Sequence, residues 1–247
     1  MRSGPLLKAE RVVKKFGGLV ALDGATLEVK PGFFTLLAGP NGSGKTTLIN
    51  VLTGVLYPDG GRVIYDGRDI TKLPPYERRR LGIFRTFQTP RVAQRLTVLD
   101  NVVAGYLRHE KPQLWGWAKR EKELAEKAYS YLKLVRLDHM WDRPAAELSG
   151  GQLKLLELAR ALMAGARVLL LDEPAAGLNP ALALELFRSF KEVAASGVAL
   201  LVVEHRLDLA VDYADYAYFM HNGKVVLEGP PRKVFTDPMV VEIYLGS

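Results

Sequence analysis

Cysteine is absent from the 247 residues. That excludes disulfides and thiolate metal sites, and it fits a chain kept in a reducing cytosol. Long apolar runs are missing too. The longest, "GVALLVV" at 197–203, falls far short of the ~20 residues that a spanning helix needs. The opening "MRSGPLLKAERVVKK" lacks the apolar stretch of a secretory signal, so any membrane role is expected to run through partner chains. There is no short internal repeat, no low-complexity linker and no sustained heptad pattern.

What is present is ordinary for a globular chain. Hydrophobic residues make up 48% and charged residues 25%, enough apolar material for a sizeable core. The net charge is +7, from 34 basic and 27 acidic side chains. A surplus of that size suits a polyanionic ligand, a nucleic acid or an anionic membrane surface, and does not choose among them.

Residues 5–37 read as short strands and turns, with a Pro31-Gly32 turn. A strand around Phe33–Ala38 runs into a glycine loop, and "TTLINVLTGVL" then reads as a helix. Asp66-Gly67 and Asn222-Gly223 are hairpin dipeptides inside "GRVIYDGRDI" and "FMHNGKVVLEG". From about residue 97 the pattern becomes helical. Thr97 and Asp100 predict a capping box for "VLDNVVAGYL", and "AKREKELAEKAYSYLKLVRL" (118–137) spaces its apolar residues at helical intervals. "RVLLLDEP" and "GVALLVVEH" are short and branched-rich, as buried parallel strands are, with the helix "PALALELFRSFKEVAAS" between them.

Chemistry enters at "GPNGSGKTT", residues 39–47. It matches G-x-x-x-x-G-K-[ST] between a predicted strand and a predicted helix, the context the motif requires. Gly39, Pro40, Asn41, Gly42, Ser43, Gly44, Lys45, Thr46 and Thr47 form the expected phosphate cradle. Its glycines let backbone N–H groups curl round phosphate oxygens, and the following helix adds its dipole. Lys45 is expected to reach the β- and γ-phosphates, and the Thr46 hydroxyl to ligate Mg²⁺. "VLLLDE" (168–173) adds an apolar strand ending in two carboxylates. Asp172 suits the magnesium-side aspartate, and Glu173 is placed to orient and deprotonate an attacking water. The chemistry implied is nucleoside triphosphate hydrolysis, on an α/β P-loop NTPase core.

Kinases, GTPases, helicases and motors share those two features. "ELSGGQLKLLELARALMAG" (147–165) separates them. Ser149 and Gln152 form a capping box, yet Gly150 and Gly151 weaken the first turn by roughly 0.5–1 kcal/mol each. "LSGGQ" resembles the signature of the ATP-binding cassette family, and other pieces follow in that family's order. The resemblance implies that Phe16 stacks on adenine, that Gln88 links Mg²⁺ and water to a helical subdomain, and that Glu173 is the catalytic glutamate. It implies that His205 is the switch histidine on the γ-phosphate. Ser149, Gly150, Gly151 and Gln152 are then expected to close on the γ-phosphate held by a second, head-to-tail subunit. Asn179 departs from the pattern, since the family usually has aspartate there.

The expected organisation is a nucleotide-binding core with an antiparallel β subdomain (1–88 and 165–247) and an inserted α-helical subdomain (89–164) carrying the signature. "GPNGSGKTTLINVLTG", "RTFQTPRV", "DEPAAGLNP" and "VVEH" most resemble the ATPase subunits of branched-chain or hydrophobic amino-acid importers. That resemblance implies ATP and Mg²⁺, a second cassette, integral membrane permeases, an extracytoplasmic solute-binding protein acting indirectly, and a place on the cytoplasmic face of the membrane. "TPRVAQRLTVLDNVV", Trp115 and Trp117 are candidates for permease contact. Urea uptake, lipopolysaccharide export and a soluble cassette ATPase acting on nucleic acid are the competing readings. The basic surplus alone favours the last, and it lacks interleaved base-stacking aromatics, so no nucleic acid is expected. A non-hydrolysing ATP sensor ranks behind these, because Glu173 and His205 are both present.

Overall fold

The structure, a computed structural model, describes residues 4–85, 92–106 and 117–245, with side chains in the last segment described from 120 to 244. The chain opens with an antiparallel pair, β1 (Leu7–Phe16) and β2 (Leu19–Val29), and then β3 (Phe34–Ala38), which enters a loop and α1 (Lys45–Thr53). β4 (Gly60–Tyr65) and β5 (Arg68–Asp69) meet through Asp66-Gly67, both left-handed at φ 47° and 78°, with Tyr65 opposite Arg68. That is the two-residue turn the dipeptide predicts, its twist matched to the strands. The four strands form one antiparallel sheet in the order β2-β1-β4-β5.

After α2 (Pro75–Arg80) comes β6 (Ile83–Arg85), then α3 (Val98–Val103), α4 (Trp117–Leu134) and α5 (Gly150–Met163). Then follow β7 (Val168–Asp172), α6 (Pro180–Ala195), β8 (Ala199–Val203) and α7 (Leu207–Ala210). β9 (Tyr216–His221) and β10 (Lys224–Gly229) make the second hairpin, and α8 (Pro231–Phe235) and α9 (Pro238–Leu245) finish the described chain. The second sheet runs β10-β9-β3-β8-β7-β6, parallel except for β10 at its edge. The fold is the α/β P-loop NTPase type.

The central strands are buried on both faces, and alternation sends their side chains into two different cores. Val168 and Leu170 of β7, with Leu201 and Val203 of β8, join α1 and the antiparallel sheet. Leu169, Leu171, Leu200 and Val202 face the other way, against α5 and α6. A one-residue slip of either strand would exchange these two sets.

Three helix ends differ from the sequence pattern. α3 stops at Val103 instead of running through "AGYL". Gly105 sits so close to α5 that a β-carbon there would lie 2.7 Å from the Arg160 carbonyl oxygen. Thr97 caps α3 by accepting from the Asp100 N–H, but the Asp100 carboxylate accepts from the Thr97 hydroxyl at 2.7 Å. Aspartate is one methylene shorter than the Glu or Gln that reaches back to the cap N–H in a full capping box. α4 ends at Leu134 because Arg136 turns left-handed, φ 60°, and the Leu137 N–H returns to the Leu132 carbonyl at 2.8 Å.

Candidate nucleotide site

β3 delivers the chain to the phosphate loop through Gly39, whose φ of 152° and tight surroundings admit no side chain. A β-carbon there would lie 2.1 Å from the Met220 carbonyl oxygen. The Gly39 N–H donates to the Tyr244 hydroxyl at 3.1 Å, so α9 props the loop's first residue. From the other side the Asn222-Gly223 turn props its middle: the Gly223 N–H donates to Ser43 O, and the Asp23 N–H to Gly223 O, both at 3.0 Å. Lys45 is 6% exposed and donates to the carbonyls of Gly39 (2.7 Å) and Pro40 (2.8 Å) and to Ser43 Oγ (3.4 Å). Burial pushes this ammonium below the usual lysine range, while Glu173 and Asp172 pull it back up. A phosphate would meet a cation already aimed by backbone oxygens.

The loop opens into a cavity of about 610 Å³. Asn41, Gly42, Ser43, Gly44, Lys45, Thr46 and Thr47 form its floor, and Phe16, Leu19, Val20 and Ala21 form an apolar wall. Phe16 is 46% exposed and Leu19 66%, so this wall faces solvent instead of the core. Glu173 and His205 also line the cavity. Their side chains meet, His205 Nε2 to Glu173 Oε1, at 3.1 Å. Glu173 takes φ 50°, a left-handed conformation costly for a residue with a β-carbon, and its N–H is tied to Val203 O at 2.9 Å. Polar cradle, apolar wall and carboxylate–imidazole pair suit a ligand with a phosphate tail and a flat apolar end.

Asp172, at the end of β7, accepts from the Arg85 guanidinium at 3.0 Å, and Arg85 also donates to Asn50 of α1. Among the described residues no group of three or more His, Asp or Glu side chains could cage a metal. Magnesium in phosphate sites keeps several waters and takes only one or two protein ligands, so a hydroxyl at Thr46 and a carboxylate at Asp172 fit it. Gln88, expected as a further ligand, lies outside the described residues, as does Trp115. Trp117 starts α4, with its side chain outside the description.

Ser149, Gly150, Gly151 and Gln152 do not line this cavity. The capping box forms with both bonds: Ser149 N–H to Gln152 Oε1 at 2.9 Å and Gln152 N–H to Ser149 Oγ at 3.3 Å. The two glycines differ. A β-carbon on Gly150 would meet nothing within 4 Å, whereas one on Gly151 would touch Leu182 at 3.6 Å. Only Gly150 presents bare backbone outward.

The ABC transporter family model matches residues 22–176. The chain belongs to that family. Its sequence is 46% identical over 246 residues to a probable branched-chain amino acid transport ATP-binding protein of Archaeoglobus fulgidus, covering 98% of this chain and 96% of that one. A protein of the same description from Methanocaldococcus jannaschii is 45% identical, covering 98% of each. Among solved structures, the ADP conformation of an ATP-binding cassette of an ABC transporter superposes with a TM-score of 0.85 at 42% identity, covering 99% of this chain and all of that one. A dimeric bacterial ABC transporter cassette superposes with a TM-score of 0.73 at 26% identity, covering 92% and 99%.

In this ABC cassette Asn179 has a local task. Its side-chain oxygen caps α6 by accepting from the Leu182 N–H at 2.9 Å, with Pro180 at the first helical position. Several cavity residues carried no motif. Leu19 and Val20 were legible only as apolar residues in a stretch of short strands and turns, and Asn222-Gly223 only as a turn. Nothing in the sequence spacing pointed to Arg85, Lys154 or Glu204.

Proposed function

We propose that this chain is the ATP-hydrolysing subunit of an ABC importer for branched-chain or other hydrophobic amino acids. It works as one of two head-to-tail cassettes on the cytoplasmic face of membrane permeases, with an extracytoplasmic solute-binding protein supplying cargo. The observation that carries the hydrolytic part is the convergence of phosphate loop, Glu173 and His205 on one cavity. The cargo is supported by the descriptions of the relatives from Archaeoglobus and Methanocaldococcus. No helix among the described residues is long and apolar enough to cross a membrane, which accords with separate permease chains.

In this reading the backbone N–H groups from Gly39 to Thr47 and the Lys45 ammonium hold the phosphates, and Phe16 stacks on the adenine beside Leu19 and Val20. Glu173 takes the proton of the attacking water, and His205 orients both that carboxylate and the γ-phosphate. Thr46, Asp172 and Gln88 would hold Mg²⁺. When bound, that ion supplies charge neutralisation at the β- and γ-phosphate oxygens. Ser149, Gly150, Gly151 and Gln152 serve the partner's nucleotide, with Gly150 leaving room for it. Residues 1–88 and 165–247 form the nucleotide-binding core with its β subdomain, and 89–164 the helical subdomain that moves against it.

The test is the solution mass and turnover of Glu173→Gln, with and without ATP and Mg²⁺. Expected are retained ATP binding, turnover reduced at least about a hundredfold, and an ATP-dependent dimer that Ser149→Arg abolishes. Unchanged turnover removes Glu173 from the mechanism. A dimer indifferent to Ser149→Arg removes the signature from the interface.

A further inference from the structure

Directly after Glu173, one peptide unit is held at both ends by opposite charges. It joins Pro174 to Ala175. Its carbonyl accepts from the Lys154 ammonium at 2.6 Å, and its N–H donates to Glu204 Oε1 at 2.7 Å. Each charge makes a second bond nearby. Lys154 also donates to Ala176 O at 2.9 Å, and Glu204 Oε2 accepts from the His205 N–H at 3.2 Å.

The two side chains come from different parts of the fold. Lys154 lies in the first turns of α5, just past the capping box of Ser149 and Gln152. Glu204 follows the last residue of β8 and precedes His205. It is 2% exposed, and Ala175 is fully buried. A peptide with its carbonyl toward a cation and its N–H toward an anion has its dipole aligned with both. Charge-assisted bonds of this kind are roughly twice as strong as neutral ones, and burial strengthens them further. Buried ionic groups are poor sources of net stability, since apolar replacements of similar shape often do as well. What such groups supply here is a fixed geometry linking two elements.

We propose that Lys154 and Glu204 are positioning residues that clamp the Pro174–Ala175 peptide and so hold Glu173 and His205 in register with α5. The inference rests on Glu173 and His205 acting in hydrolysis as described above. Lys154 sets one end of the peptide next to Glu173. Glu204 sets the other end and, through the His205 N–H, the backbone of the imidazole that Glu173 touches. In the head-to-tail dimer proposed above, where the first turn of α5 would meet the partner's nucleotide, a shift of α5 is thereby passed to this subunit's own carboxylate–imidazole pair through two hydrogen bonds.

The experiment is steady-state ATP hydrolysis by the full chain with Mg²⁺, for wild type, Glu173→Gln, Lys154→Met, Lys154→Arg, Glu204→Gln and the Lys154→Met/Glu204→Gln double variant. Expected is a loss in kcat of about tenfold or more in Lys154→Met and in Glu204→Gln, with KM for ATP within about twofold of wild type. Lys154→Arg, which keeps a cation able to reach two carbonyls, retains kcat within about threefold. The double variant is no slower than the slower single one by more than about twofold, because both act through one peptide. Unchanged kcat in Lys154→Met, a rise in KM alone, or losses that multiply in the double variant would overturn the clamp. Lys154 is only half-buried, so Lys154→Met and Lys154→Arg decide the matter even if Glu204→Gln fails to fold. A wild-type protein without turnover, or one indifferent to Glu173→Gln, instead overturns the assignment of Glu173, and the clamp with it.

Discussion

Arg78 carries its charge into the interior at 0% exposure and meets carbonyls there. Its guanidinium donates to Leu73 O (3.0 Å), Val51 O (2.6 Å), Leu52 O (2.9 Å) and Thr71 O (2.8 Å). Val51 and Leu52 end α1, the helix that begins at the phosphate loop, and α1 has no basic residue of its own in its last turn. The cation therefore sits at the negative end of that helix dipole. Burial still pushes it down to about 10, far from any loss of charge near neutrality. Arg78→Met leaves those carbonyls without a donor and should cost about 3 kcal/mol or more. In a chain of this length that lowers the melting temperature by roughly 6–12 °C. A thermal melt within about 2 °C of wild type would show that water takes over the carbonyls. In the sequence Arg78 is one of three consecutive arginines and looks like any exposed cation, because burial of a single charge leaves no periodic trace.

At the scale of elements, two hairpin turns with the same backbone do different work. Gly67 and Gly223 have φ of 78° and 75°, each after a left-handed residue, Asp66 or Asn222. A β-carbon on Gly67 would meet nothing within 4 Å, whereas one on Gly223 would lie 2.9 Å from Ala21 O. Gly223 also holds Ser43 of the phosphate loop. Gly67→Ala should cost about 1–2 kcal/mol of stability and leave ATP affinity unchanged. Gly223→Ala should add displacement of the loop and weaken ATP binding about tenfold, read by calorimetric titration of both variants. Equal affinities would mean that the loop keeps its shape without the turn. Both dipeptides were legible as turns, since turn chemistry is local. Their unequal importance was not, because it depends on which loop the second turn lands against. α3 makes the same point from the other side: its cap was readable at Thr97, but its end was decided by the approach of Gly105 to α5.

At the scale of the whole molecule, one cassette holds a cavity lined by the phosphate loop, Glu173 and His205, and a signature turn that does not line it. Two copies placed head to tail would complete both sites, which is the arrangement proposed. The net charge of +7 then needs no nucleic acid to explain it. Duplex DNA should bind weakly at physiological salt, and tight, steeply salt-dependent binding would favour the nucleic-acid reading instead. In the cell, deletion of the chain should abolish high-affinity uptake of labelled leucine, isoleucine and valine. Intact uptake of all three would require another cargo.

The sequence by itself determined the phosphate loop, the acidic end of β7, the signature turn and the α/β order of elements. Each of these is written in consecutive residues, so spacing alone exposes it. It also marked β7 and β8 as buried on both faces, since Leu and Val runs admit no wet side, but not β3 and β9, which are buried as well. Only the tertiary structure decided that Tyr244 and Gly223 brace the loop, that Arg85 holds Asp172, and that Lys154 and Glu204 share one peptide. Those partners lie tens to hundreds of positions apart. A hydrogen bond between them has no period and no fixed offset for a single sequence to display.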